Sequence, residues 1–281
     1  TSHSQPVTRH SALRMPYFMH PSVYHKGLHR CGELGAETSK HGPCSATGLA
    51  LDPGHAPLAT SYPPQRRRRF RIGFFGTHDR EFYTTHYHFP GMNRFEILEI
   101  FLNKFGDRMK ALCGSPRDWD PCQIAVSIDT RGGDRRAKSF LPQEHYFAAL
   151  RDCDFVLSPP GWCMPVSHNL IETMFCGAIP ITNAGAFMAP PLENGKNCLE
   201  FSNEAKFIDI IEHAIAMSDE EIDNIRAGVR DYYQRFLNPK AFGVLLGNGG
   251  YDRLLVNAEE KSVNWGREFQ EGVGAFMAKY C

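Results

Sequence analysis

Residues 158–182 read SPPGWCMPVSHNLIETMFCGAIPIT. The apolar run DFVLS just before has the length and composition of a buried strand, and GAIPIT at the end has the same character. Between them NLIETMFCG spaces its apolar residues as a helix does, with Gly177 placed to close it. Strand, polar turn, helix and strand make a βαβ unit, and a βαβ unit implies a parallel sheet. The turn is long, rich in Pro and Gly, and carries Ser167, His168, Asn169 and Glu172 within six positions.

Working outward, the same alternation continues on both sides. RIGFF reads as a strand ending at Gly76, followed by a polar loop over residues 76–92 and a helix over NRFEILEIFLNKF. QIAVSI then reads as a strand and PQEHYFAALRD as a helix, leading into the central unit. Beyond it come a short strand in NCLEFS and two helices, EAKFIDIIEHAIAM and DEEIDNIRAGVRDYYQRFL. Strands alternating with helices predict an α/β fold, a doubly wound parallel Rossmann-like sheet over residues 70–236. Residues 1–69 are rich in His, Pro, Gly and Ser with little periodicity, and read as an irregular N-terminal segment. The run Arg66 to Arg69 within it reads as a solvated linker rather than a polyanion patch. Residues 237–281 are expected to form helices that pack back toward the N-terminal segment.

Charge and composition narrow the function. The 281 residues carry 31 basic and 31 acidic side chains, so nothing electrostatic argues for nucleic acid as a partner. No apolar run approaches the roughly 20 residues needed to cross a bilayer. The chain starts at Thr1 rather than Met; the Golgi lumen is the expected compartment if a membrane anchor preceded it, and the cytoplasm otherwise. There is no Asn-x-Ser/Thr sequon. Nine cysteines form no CxxC pair, and Cys153, Cys176 and Cys198 sit in apolar runs as ordinary buried thiols. His29, Cys31, His41 and Cys44 have zinc-type side chains at an unfamiliar spacing and read as loop residues.

In open parallel sheets ligands bind beyond the carboxyl ends of the strands. Two loops belong there, residues 76–92 and residues 158–168. A helix starting between Ser167 and Leu170 offers unpaired backbone N–H groups and a positive dipole end to a phosphate. Glu172, placed in the first turn, would reach hydroxyls beside that phosphate. The plainer alternative is that Ser167 or Asn169 caps the helix and Glu172 completes a capping box.

LRDCDFVLSPPGW followed by VSHNLIETMFCGAIPI resembles the nucleotide-sugar segment of exostosin-type glycosyltransferases. RIGFFGT with NRFEIL is similar to the first strand of the same domain and the Arg that follows it. The resemblance spans roughly residues 70–236, and its specific part lies within residues 150–182. It implies a GT-B-like fold of two Rossmann-like domains facing a cleft, with a reduced or irregular N-terminal portion here. It further implies transfer of a sugar from a nucleotide-sugar donor, a UDP-sugar, to a glycan hydroxyl, with inversion and without a metal or other cofactor. Gly161, Ser167, His168, Asn169 and Glu172 would bind the donor, with Glu172 on the ribose. The family commonly has Arg where this chain has Asn169.

Sugar transfer needs cationic help for the leaving diphosphate, and Arg80 and Arg94 are candidates. It also needs a general base, for which Asp79, His78 and His20 are candidates. A partner subunit or a further N-terminal domain is the expected source of the rest of the cleft. Two other readings compete: a non-catalytic binding module, and a metal-dependent GT-A-type transferase using Asp118 and Asp120. GSPR before Asp118 favours a turn there, not the end of a buried strand. His78, His86 and His88 are a weak metal-site pattern for a hydrolase.

Overall fold

Ile72 and Phe74 alternate with Gly73 and Phe75 along Phe70–Thr77 (β2), and the strand is buried on both faces. That pattern is what a central strand of a parallel sheet requires. The computed structural model describes residues 12–14, 68–85, 87, 89–129, 141–161, 165–238 and 253–255. His20, His29, Cys31, His41, Cys44, His86 and His88 lie outside the described residues.

After Ala12–Arg14 (β1) and β2 come Arg80–Thr85 (α1), Arg94–Phe105 (α2), Met109–Ala111 (β3) and Cys122–Asp129 (β4). Gln143–Arg151 (α3), Cys153–Leu157 (β5), His168–Phe175 (α4) and Ile179–Thr182 (β6) follow. Leu199–Glu200 (β7), Glu204–Ala216 (α5), Asp219–Tyr232 (α6) and Arg253–Leu255 (β8) complete the order. Six strands form one sheet in the order β3-β4-β2-β5-β6-β7, every pair parallel. Ile72 stands opposite Ile124 of β4 on one side and Phe155 of β5 on the other.

Helices cover both faces, as the sequence predicts. Ile97, Leu98 and Phe101 of α2, Phe207 and Ile211 of α5, and Ile225 and Val229 of α6 join Ile72, Phe74, Ile124 and Phe155 in one core. Ala149 and Leu150 of α3 join Phe75, Ala125 and Val156 in the other. Among the described residues no helix is long and apolar enough to cross a membrane.

The βαβ unit is as read. Gly177 takes φ +66°, donating to Met174 O at 3.0 Å, while Ala178 N donates to Thr173 O at 3.1 Å. These two bonds close α4 with a Schellman motif, which needs a left-handed residue at that point. Two features differ from the sequence reading. β3 was not expected: three residues, one of them half-buried, carry no readable alternation. It takes the sheet edge, so β4 rather than β3 lies beside β2. Beyond residue 238 only Arg253–Leu255 are described, and where helices were expected these three form a strand, β8, paired in parallel with β1.

The arginine run is not a solvated linker where it is described. Arg68 donates to Cys153 O at 2.5 Å, Gly177 O at 2.9 Å and Cys176 O at 3.2 Å. Burial, then the nearby Arg226, pushes its pKa down to about 10. Arg69 donates to Asp152, Pro116 O and Trp119 O, with its guanidinium 5.4 Å from the Trp119 ring centre. A planar fork on a long apolar stem can serve several carbonyls while its stem packs, which a charge count does not reveal.

Candidate functional site

β2 and β5 are neighbours, yet the chain leaves them toward opposite edges of the sheet, to β3 from one and to β6 from the other. Such a divergence opens a crevice beyond the carboxyl ends. The two loops expected there do flank it, and Arg94 ties them together. Its Nε donates to Pro160 O at 2.9 Å and Nη2 to Pro159 O at 3.5 Å, while Nη1 donates to Tyr83 Oη at 3.0 Å. The guanidinium carbon lies 4.7 Å from the centre of the Tyr83 ring. Arg94 is 5 % exposed, and burial lowers its pKa from the usual arginine value. The residue read as a ligand for diphosphate thus spends its donors on fixing the Pro-Pro turn. Asn183, at the end of β6, adds a second tie by donating from Nδ2 to Met92 O at 2.8 Å.

Ser167 occupies the N-cap position of α4 in extended backbone conformation, but its side chain does not cap the helix. Its hydroxyl donates instead to Pro159 O at 2.9 Å and also contacts Asn169 Oδ1. Both side chains are buried, turned toward the protein. Asn93, Asn203 and Ser218, at the corresponding positions of α2, α5 and α6, all accept from backbone N–H groups. The turn of residues 158–161 has therefore diverted the cap residue of α4, and the first backbone donors of that helix are left without the usual side-chain acceptor. His168, the first helical residue, is exposed. Partial burial of the ring, and then Arg94, hold its pKa below the ordinary histidine value.

Glu172 is not in the first turn. With Ser167 at the N-cap, the capping-box position is Leu170, so Glu172 lies two residues too deep to reach back. Its spacing from His168 puts both on one face of α4. There it meets Tyr146 of α3, whose Oη donates to Glu172 Oε2 at 2.9 Å. Glu172 is half-buried, and burial, opposed by that hydrogen bond, pushes its pKa up to about 7. Oε1 takes no hydrogen bond among the described residues.

The candidate bases have structural neighbours. Asp79 Oδ1 accepts from Phe82 N at 2.9 Å at the start of α1. The His78 ring is stacked on Phe95 at 4.8 Å, with Nε2 2.9 Å from Glu99 Oε1. The Arg80 guanidinium lies 5.7 Å from the centre of the same Phe95 ring. His78 and Arg80 thus share the Phe95 ring of α2. Gly161 ends the described part of the turn, half-buried. Asp118 and Asp120 lie before β4, at the amino ends of the strands. Asp118 accepts from Ser115 N in the turn that GSPR predicts, and Asp120 accepts from Lys110 at 2.8 Å. Among the described residues no three His, Cys, Asp or Glu side chains gather as a metal site would need.

Tyr83, Tyr146 and Asn183 were not anticipated. Each lies in a different element from the residue it serves, and only packing brings the pairs together. No protein-family model matches this chain, and no curated protein matches it either.

Proposed function

We propose that this protein is a glycosyltransferase of exostosin-like, GT-B type, taking a nucleotide-sugar donor and passing the sugar to a glycan hydroxyl. The observation that carries the reading is the pairing, within one turn of α4, of an uncapped helix start with a carboxylate held at one oxygen and without a hydrogen bond at the other among the described residues. A diphosphate suits the first and a ribose the second. As the glycosidic bond to the donor breaks, negative charge gathers on the leaving diphosphate, where the helix dipole stabilises it without a metal. A UDP-sugar is the proposed donor. Inversion requires a base for the acceptor hydroxyl. Asp79, with Oδ2 free of hydrogen bonds among the described residues, His78 and His20 are the proposed candidates. A partner subunit or further domain would supply the acceptor side.

A second reading is a binding module without catalysis. The capping role of Asp79 and the stacking of His78 favour it, since both are explained by local structure. One experiment addresses both. Thermal shifts with UDP-, GDP-, ADP- and CMP-sugars are expected to show stabilisation greatest with a UDP-sugar, followed by slow UDP release on adding glycan acceptors. Stabilisation without any UDP release supports the binding module. No stabilisation by any nucleotide sugar removes both.

A further inference from the structure

We propose that Tyr146 is a positioning residue that sets Glu172 to receive a vicinal diol, so that the site selects ribonucleotides over their deoxy counterparts. The inference rests on the nucleotide reading above and adds to it the group that orients the recognising carboxylate.

The geometry supports a division of labour. Tyr146 Oη donates to Glu172 Oε2 at 2.9 Å from a different helix, which fixes the plane of the carboxyl group. Burial and the adjacent Glu172 raise the phenol pKa well above its ordinary value, so Tyr146 stays a donor. A phenol has one proton to give, and it is spent on Oε2. Oε1 keeps two lone pairs and has no hydrogen bond among the described residues. Two hydroxyls on adjacent carbons can donate to those lone pairs together, whereas a deoxy sugar loses one or both bonds. His168 sits four residues earlier on the same face, about 6 Å along the axis. That is the order of spacing between the diol and the 5′-phosphate of a nucleotide.

Several groups surround the pair. Arg94 of α2 acts on both Tyr146 and His168, and Cys176 at the end of α4 lies near Tyr146. On the other flank the Tyr233 ring meets Phe175 at 5.6 Å. Of these, Tyr146 is the one hydrogen-bonded to the carboxylate.

Calorimetric titration of the whole chain with UDP and with 2′,3′-dideoxy-UDP tests the proposal. The unmodified protein is expected to prefer UDP by about tenfold or more. In Tyr146→Phe, UDP binding should weaken toward the dideoxy value while dideoxy binding stays put. The pH midpoint of UDP binding should also rise, because the donor that favours the ionised carboxylate is gone. Glu172→Gln, which keeps Tyr146 and its neighbours, should lose the same discrimination, and the double variant should be no worse than Glu172→Gln alone. Retained discrimination and an unmoved midpoint in Tyr146→Phe overturn the role of Tyr146 and leave nucleotide binding standing. Failure of the unmodified protein to bind either nucleotide overturns the nucleotide reading as well.

Discussion

Arg94 donates from Nε to the carbonyl of Pro160, 66 residues away, across 2.9 Å. This bond joins the start of α2 to the turn that precedes α4, and so sets the distance between the two walls of the crevice. Breaking it leaves a buried carbonyl without its charged donor, at a cost of about 1.5–3 kcal/mol per bond. Arg94→Lys keeps the charge but cannot span Pro159, Pro160 and Tyr83 together. A loss of about 2–4 kcal/mol in urea unfolding is expected, with weaker nucleotide binding as a consequence. Unchanged stability with lost affinity would instead make Arg94 a direct ligand contact.

Glu172→Gln separates a structural carboxylate from a recognising one. The folded-state pKa of about 7 stands above the ordinary glutamate value of 4.5. The native chain therefore holds a proton that the unfolded chain has released between those two values. Stability contributed by the protonated group is complete below pH 4.5, falls as pH rises through about 7, and stays lost above it. The full difference is about 3 kcal/mol. Gln at this position should raise the melting temperature at about pH 8, change it little at about pH 4, and weaken UDP binding roughly tenfold. A melting temperature lowered at both pH values would mark Glu172 as purely structural.

The alternation of strands and helices was legible because each long element carries its own period. Gly177 was legible because a left-handed residue at a helix end favours glycine. The sheet order was not, since β3 is too short to show a pattern and its edge position depends on the long strand β4 taking the place beside β2. Within the site, the helix and its polar start were readable, but the job of each side chain was not. Ser167 has the chemistry of a cap, and only the carbonyl of Pro159 draws it away. Glu172 looked like a first-turn acid because the helix start was uncertain by a few residues, and two positions decide whether it caps or faces Tyr146.

Arg68 offers a direct contrast between the solvated reading and the packed one. A solvated arginine can be replaced with little effect, within about 0.5 kcal/mol. The observed side chain holds β5 through Cys153 O and the end of α4 through Cys176 O and Gly177 O. Arg68→Lys is expected to lose about 1–3 kcal/mol, because a single ammonium cannot match that fork. Urea denaturation of the one variant decides it, and a change below 0.5 kcal/mol would restore the linker reading.

Metal dependence provides the sharpest test of where the ligand sits. A GT-A-type site would use Asp118 and Asp120 to hold a divalent cation against the diphosphate. Both residues precede Cys122, the first residue of β4, and in a parallel sheet that is the edge away from the crevice. Asp118 already serves the Ser115 turn, and Lys110 holds Asp120 below its usual carboxylate pKa through a hydrogen bond and its charge. If the helix start of α4 carries the diphosphate, EDTA should leave UDP affinity unchanged within about twofold. Asp118→Asn and Asp120→Asn should do the same, with at most a small loss of stability from exposed partners. A strict manganese requirement that either substitution abolishes would move the ligand to the opposite edge of the sheet and end the case for Glu172.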